Sequence, residues 1–456
     1  MRSASSRIAR HALHVVALVT AFAPDACNGP QNAQYVIHID TDAPLAVEAG
    51  GTLGATDARP LFDQLAVGVI GACSSDCNRT FAVDRTMVAG NNMISFGVYS
   101  TEEATGGRVD LTLYRAAGTY GASPLANASL EGSISLPRRE TQSQPLDVYV
   151  QLLVAGIGTS SWLPTSWDSP PNKLSTWSKA FPAPCAGQPR EGEVCVPGGP
   201  FWMGDMQDVV LSYQRLAVVS PFYLDSKEVT VAEFRRSGLA QVGSSGVSVD
   251  PQEYVQGGNL TYEYCDYSVN SKGASADALA VDCVSWTLAR KYCQSLGKDL
   301  PTRLQTEYVA GALSSQVYPW GIDEPSCLDA VYGRSTSDDG TNSSVCRMAD
   351  TPLSPAPPGS GLRDRVALAG GTIYDVGCNL GEWAVDYGNT YQPCTTANLL
   401  DDFVCNDAKS TGGNHMFKTG AWWEAPWTCR AAAWGSDLPT AQGNGVGFRC
   451  ARPATP

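Results

Sequence analysis

Histidine is scarce in this chain: His11, His14, His38 and His415 are the four in 456 residues, and the first two fall in the leader segment described below. A zinc or iron centre built on imidazoles has too few ligands to draw on. Basic residues are also short. There are 31 Lys and Arg against 45 Asp and Glu, a formal net charge of -14. Such a chain repels phosphate backbones and anionic lipid, so a nucleic-acid partner is not expected. Paired C-x-x-C motifs are missing, and beyond the leader no apolar run is long enough to span a bilayer. Charged residues make up only 17% of the chain, which is too few for a disordered polyelectrolyte.

Cysteine, by contrast, is plentiful. Fifteen cysteines are spread along the chain, which points to disulfides and an oxidising compartment. The N-terminus agrees. Arg2, Arg7 and Arg10 precede an apolar stretch from His11 to Phe22, the pattern of a signal peptide over residues 1–27. Ala21-Phe22-Ala23 offers one cleavage site. Ala26-Cys27 offers a lipoprotein alternative in which Cys27 carries the lipid and is the only link to a membrane. The expected location is extracytoplasmic, either secreted or anchored in the cell envelope. Setting Cys27 aside leaves fourteen cysteines, enough for seven disulfides.

The length suggests two or three domains. Residues 34–160 hold short β-rich runs: Tyr35 to Asp40, Leu65 to Ile70, Met93 to Tyr99, Val109 to Tyr114 and Leu146 to Val154. Alternation of apolar and polar residues between turn-rich segments predicts a small all-β sandwich. Residues 161–190 contain six prolines and read as a Pro/Ser-rich linker. The remainder, 191–454, is rich in glycine and tryptophan. Two helices are legible there: Val231 to Ser237 after Thr230, and Trp286 to Leu296 after Ser285 with Gly297 as its stop.

In this C-terminal region a run of phrases resembles the formylglycine-generating-enzyme, or sulfatase-modifying-factor, family. Cys195-Val-Pro-Gly-Gly-Pro-Phe-Trp-Met-Gly is similar to its opening strand. Pro221-Phe-Tyr-Leu-Asp-Ser-Lys-Glu-Val-Thr follows. Then come Val284-Ser-Trp with Ala289-Arg-Lys-Tyr-Cys, Gly297-Lys-Asp-Leu-Pro-Thr-Arg-Leu-Gln-Thr-Glu-Tyr, Tyr318-Pro-Trp-Gly, Tyr374-Asp-Val-Gly-Cys-Asn-Leu-Gly-Glu-Trp and Gly447-Phe-Arg-Cys-Ala. The phrases keep the family's order over about 260 residues. The resemblance implies an α+β fold similar to C-type lectins, with long irregular loops. Fold alone does not carry function.

The family's activity is oxidation of a sulfatase cysteine to an aldehyde, using oxygen and a copper ion held by two thiolates, a soft pair suited to Cu(I). In the matching stretch, Lys418 to Ala433, Glu424 takes the first cysteine's place and the second falls in a short deletion before Thr428. The family's active-site serine aligns with Ala421, a tryptophan with Gly381 and an asparagine with Gly445. Copper is therefore not expected, and no catalytic residue is assigned. The ergothioneine-type branch needs histidine-ligated iron, and this chain lacks the histidines.

The resemblance also implies a calcium loop, with Asp375 and Glu382 as side-chain ligands and Cys378 and Leu380 as carbonyl ligands; carboxylates suit that hard cation. It implies a Cys293–Cys450 bridge. Pairing near neighbours gives Cys73–Cys77, Cys185–Cys195, Cys265–Cys283, Cys327–Cys346 and Cys394–Cys405. Cys378 and Cys429 are left over, as a structural bridge or a redox or metal pair; sequence does not fix connectivity. The expected function is that of a non-catalytic binding or scaffold protein. Its partner would be a protein, peptide or glycan held at Trp422, Trp423, Glu424 and Trp427, with Trp434 nearby. The alternative is a divergent formylglycine-generating oxidase.

Overall fold

The computed structural model describes residues 33–70, 78–100, 107–116, 119–120, 123–125, 128–137, 145–167, 169–205, 214–239, 265–267, 277–335, 343–348, 350, 352–389, 394–409 and 411–454. The expected leader, Cys27, and the Cys73–Cys77 pair lie outside these residues. The chain divides into two units, the first built mainly from residues before Thr176 and the second mainly from Trp177 onward.

The first unit is all β. One sheet has the order Thr165–Ser166, Leu146–Leu152, Ala33–Thr41, Ile94–Ser100; the other runs Ser160–Trp162, Ser129–Ser135, Arg108–Tyr114, Gln64–Ile70, Arg79–Ala82. Ala33–Thr41 pairs antiparallel with Ile94–Ser100 and parallel with Leu146–Leu152. Side chains of a strand alternate between faces, and here one set is buried on both sheets: Tyr35, Ile37, Ile39, Val148 and Val150 on one, Leu65, Val67, Val109, Leu111 and Leu113 on the other. Phe81 and Phe96 stack from opposite sheets, centroids 6.3 Å apart. Five of these strands lie where the sequence pattern put them.

The stretch 161–190, read from sequence as a linker, is instead built into the structure. Ser160–Trp162 and Thr165–Ser166 are edge strands of the two sheets. Prolines are tolerated next to such edges, where an N–H need not be supplied to the ladder. Further on, Ala183 forms a β-bridge with Gly198, and Cys185 bonds to Cys195.

The second unit is α+β. Its opening strand Glu193–Val196 and its closing strand Ala451–Pro453 both pair with Phe222–Asp225, so the ends of the domain are tied together. A four-stranded sheet has the order Trp434–Asp437, His415–Lys418, Gly381–Tyr387, Val446–Gly447. Helix α1 (Val231–Arg236) begins at a capping box of Thr230 with Glu233, and α2 (Trp286–Ser295) begins at Ser285. A third helix, α3 (Arg303–Ala310), starts at a capping box of Thr302 with Gln305. That T-x-x-Q spacing is a helix-start signal, absorbed in the sequence reading into a family phrase. One face of α3 enters a core with Val194, Phe201, Phe222 and Val366; α2 packs in another with Phe234, Trp383 and Phe448.

Six disulfides brace this unit: Cys185–Cys195, Cys265–Cys283, Cys293–Cys450, Cys327–Cys346, Cys378–Cys429 and Cys394–Cys405. Every described cysteine is in one of them. Few long elements and many loops make such cross-links the natural fasteners.

Candidate functional site

The positions singled out by sequence converge around strand Gly381–Tyr387, which lies between His415–Lys418 and Val446–Gly447. Lys418 ends its strand fully buried. Its ammonium donates to the carbonyls of Gly377 (3.2 Å), Thr419 (2.8 Å) and Thr428 (3.1 Å). Gly377 and Thr428 immediately precede Cys378 and Cys429, so one lysine braces both sides of that disulfide. Burial lowers the Lys418 pKa to about 8, against the pull of neighbouring carboxylates such as Asp364.

After Lys418 the chain turns through Gly420, whose φ of 118° needs a glycine. Glu424 closes this turn. Its Oε2 accepts the backbone N–H groups of Gly420 (2.8 Å) and Ala421 (2.9 Å). Across from it, a Cβ on Gly445 would lie 2.6 Å from the Ala421 Cβ and 2.7 Å from the Trp423 indole nitrogen. Gly381 is equally closed, because a Cβ there would meet the Lys418 carbonyl oxygen at 2.8 Å. Ala421, Glu424, Gly381 and Gly445 are thus packed against backbone and against one another. The nearby Cys429 is bonded to Cys378, and both are fully buried.

Of the tryptophans expected to line a groove, the structure exposes two and buries two. Trp423 and Trp427 are 37% and 49% exposed. Trp422 belongs to the core: it packs with Ala280, Val331 and Leu380, and its Nε1 donates to the Asn444 carbonyl at 2.8 Å. Trp434 is also buried, donating to Glu307 Oε2 at 3.0 Å. Both Trp422 and Trp423 lie in the turn that follows strand His415–Lys418, and only Trp422 faces the core.

The two expected side-chain ligands for calcium, Asp375 and Glu382, both lie beside Arg449. Its guanidinium donates to both oxygens of Glu382 at 2.5–2.9 Å and to the carbonyls of Tyr374 (2.8 Å) and Asp375 (3.0 Å). Asp375 stands at φ 53°. Its Oδ2 accepts the Gly359 N–H, while its Oδ1 is buried without a partner. The sulfur of Cys378 is in its disulfide, and the Leu380 N–H donates to Glu228 at 3.2 Å.

Two further carboxylates complete the cluster. Glu228 accepts from Asn379 Nδ2 (2.8 Å), and Asp364 accepts the N–H groups of Gly377 (2.8 Å) and Cys378 (2.7 Å). Burial, then the charge of Asp364, pushes Asp375 up to about 7; burial takes Asp364 to about 6. Glu228 is raised well above its ordinary value by burial and by Asp375 and Glu382. Four buried carboxylates face two buried cations, Arg449 and Lys418. Protons or a divalent cation must balance the surplus. The orphaned Asp375 oxygen and the hard oxygen donors around it suit calcium.

Glu228, Asp364, Lys418 and Arg449 were not singled out by sequence reasoning. Three of them sit in or beside the quoted phrases, where they read as fold markers. Asp364 lies outside every phrase. Elsewhere, Cys265, Asp282 and Cys283 are the one Cys/Asp/Glu/His trio among the described residues with ligand atoms close enough to share a metal ion, but the two sulfurs are bonded to each other.

Comparison with known proteins matches residues 179–454 to the sulfatase-modifying factor enzyme 1-like domain. The chain is 28% identical over 179 residues to the inactive C-alpha-formylglycine-generating enzyme 2 of Mus musculus, a match covering 39% of this chain and half of that protein. It is 28% identical over 315 residues to the formylglycine-generating enzyme of Streptomyces coelicolor, covering 60% of this chain and 94% of that one. Among solved structures, PvdO from Pseudomonas aeruginosa aligns with a TM-score of 0.40 and 22% identity over 57% of this chain and 94% of that chain. The second unit is α+β with long irregular loops, as expected from its phrases. The chain belongs to the sulfatase-modifying factor enzyme 1-like domain family.

Proposed function

We propose that this chain is a non-catalytic member of its family, working outside the cytoplasm as a binding or scaffold protein. One observation carries this reading: the carboxylate at the first thiolate position is spent on two backbone N–H groups of its own turn. A group so engaged is a structural cap and not a free reactive side chain. The pairing of every described cysteine supports the same reading, as does the half-length likeness to a relative named inactive. The alternative, a divergent formylglycine-generating oxidase, draws on the longer match to the Streptomyces coelicolor enzyme, but needs two thiolates.

Six disulfides support an oxidising, extracytoplasmic setting. No helix among the described residues is long and apolar enough to cross a membrane. A lipid on Cys27 would supply an envelope anchor. Trp423 and Trp427 would make the contact with a protein, peptide or glycan partner, because exposed indoles give large rigid contact area. Asp375 and Glu382, with the carbonyls of Cys378 and Leu380, would hold a structural calcium ion that neutralises the buried acids.

The test is binding of the full chain to peptide and glycan arrays, with Trp427→Ala as control. Retention of a ligand by the wild type and its loss in the variant is the expected result. Equal signals from the two proteins would remove the indoles from the account.

A further inference from the structure

The six disulfides of the described residues all lie beyond Ala183. The β-sandwich unit has none among its described residues, yet it holds one buried lysine–aspartate contact of a particular kind. Asp40, at the end of the central strand Ala33–Thr41, is 0% exposed. Its Oδ1 touches Nζ of Lys173, whose side chain is 22% exposed. Its Oδ2 accepts the Leu174 N–H at 2.7 Å. The segment is held in place by Gln151, whose Nε2 donates to the Asn172 carbonyl at 2.9 Å.

We propose that Lys173 and Asp40 condense into an amide cross-link, closing a loop between residues 133 apart in sequence. The proton of the ammonium first passes to Asp40 Oδ1 within the contact pair. The Nζ lone pair then attacks Cγ, and the Leu174 N–H stabilises the charge that develops on Oδ2. The C–Oδ1 bond breaks, a second Nζ proton joins the departing hydroxide, and one water leaves. The sum is ammonium plus carboxylate giving amide plus water, with no co-reactant. In dilute solution this balance favours hydrolysis. Groups held in contact behave as though at effective concentrations of about 10⁵–10⁸ M, which reverses it.

Asp42, two residues beyond Asp40 and near enough for that charge to act on it, is assigned the role of assisting these proton transfers. It lies just past the same strand and accepts the Val154 N–H at 2.7 Å. Burial raises its pKa despite that N–H, and the charge of Asp40 raises it further. Among the other described lysine–aspartate contacts, Lys298–Asp225 also sets the second aspartate oxygen on a backbone N–H, but its lysine is shared with Glu193. Lys179 and Asp401 are about half exposed. Lys298 touches Asp225 and Glu193; burial would raise Glu193, but Arg452, the Arg190 N–H and Lys298 outweigh it and hold it near 2, so it has no proton to give.

The test is a reduced proteolytic map of the purified full chain by tandem mass spectrometry. A branched peptide carrying both Asp40 and Lys173, one water lighter than its two parts, is expected in the wild type. It should be absent in Lys173→Arg and formed more slowly in Asp42→Ala. Recovery of Asp40 and Lys173 only in separate linear peptides overturns the proposal, and that result needs no variant to fold.

Discussion

Glu424 Oε2 accepts the backbone N–H of Ala421 at 2.9 Å, and that of Gly420 at 2.8 Å. Glu424 and Ala421 are the two positions that the sequence resemblance aligns with reactive side chains of the family. In this chain one has become the cap of the other's turn, and Trp423 closes over Gly445 beside them. The substitutions form one packed unit.

That unit predicts a stability cost. Glu424→Ala leaves two partly buried N–H groups without an acceptor and should destabilise the second unit by about 1–3 kcal/mol. Glu424→Gln keeps an acceptor oxygen and should lose less. Chemical denaturation followed by tryptophan fluorescence reads the difference. Equal stability of Glu424→Ala and wild type would show that the cap contributes nothing.

The tryptophans should separate by burial. Trp422→Ala empties a core site and should cost about 3–5 kcal/mol. Trp427→Ala, at a half-exposed position, should change stability by less than about 0.5 kcal/mol. Thermal melts of the two variants make the comparison. Similar losses in both would place Trp427 in the core as well.

The acid cluster predicts an unusual pH profile. Asp375 and Asp364 are pushed up to about 7 and 6, mainly by burial. Their folded values exceed the unfolded ones, so the folded state binds more protons. Stability they contribute is complete below about pH 4 and is lost as pH rises toward about 7. Without divalent ions, the melting temperature should fall over that window. Calcium binds the ionised carboxylates, so it should raise the melting temperature near neutrality and much less in acid. Asp375→Asn should flatten part of the slope and weaken the calcium effect. Identical melts with calcium and with chelator at neutral pH would argue against a calcium site.

Disulfide pairing is open to direct counting. Unfolded, unreduced protein should show no reactive thiol among the twelve described cysteines. Replacing Cys378 and Cys429 together by serine should cost about 2–5 kcal/mol. Thiol labelling with mass readout measures the first, and denaturant melts the second. Labelling of Cys378 or Cys429 in the untreated protein would revive the redox reading of that pair.

Much of the fold was legible because it rests on local patterns. Alternation at Tyr35, Ile37 and Ile39 marks a strand wherever it packs, and Ser285 announces α2 from its own sequence. Strand Ser129–Ser135 escaped notice because Gly132 and its serines carry little β signal. The edge strands Ser160–Trp162 and Thr165–Ser166 were hidden by prolines, which read as linker. The site was legible in part. Ala421, Glu424 and Gly445 could be named as departures. That Glu424 folds back onto its own turn goes with Gly420's positive φ and with Lys418 holding the carbonyls of Thr419 and Thr428 on either side, which no local pattern reports. Trp422 and Trp423 are neighbours in sequence with opposite fates, decided by which side of the chain meets the core. Arg449 was read as part of a fold phrase, yet it gathers Glu382, Tyr374 and Asp375 around one guanidinium.

The most direct test of the non-catalytic reading is turnover. Purified full-length chain is incubated with copper, oxygen and a peptide carrying a sulfatase cysteine motif, and the peptide is followed by mass spectrometry for conversion of cysteine to aldehyde. The account predicts no aldehyde above a protein-free control. Catalytic turnover of the peptide would contradict it.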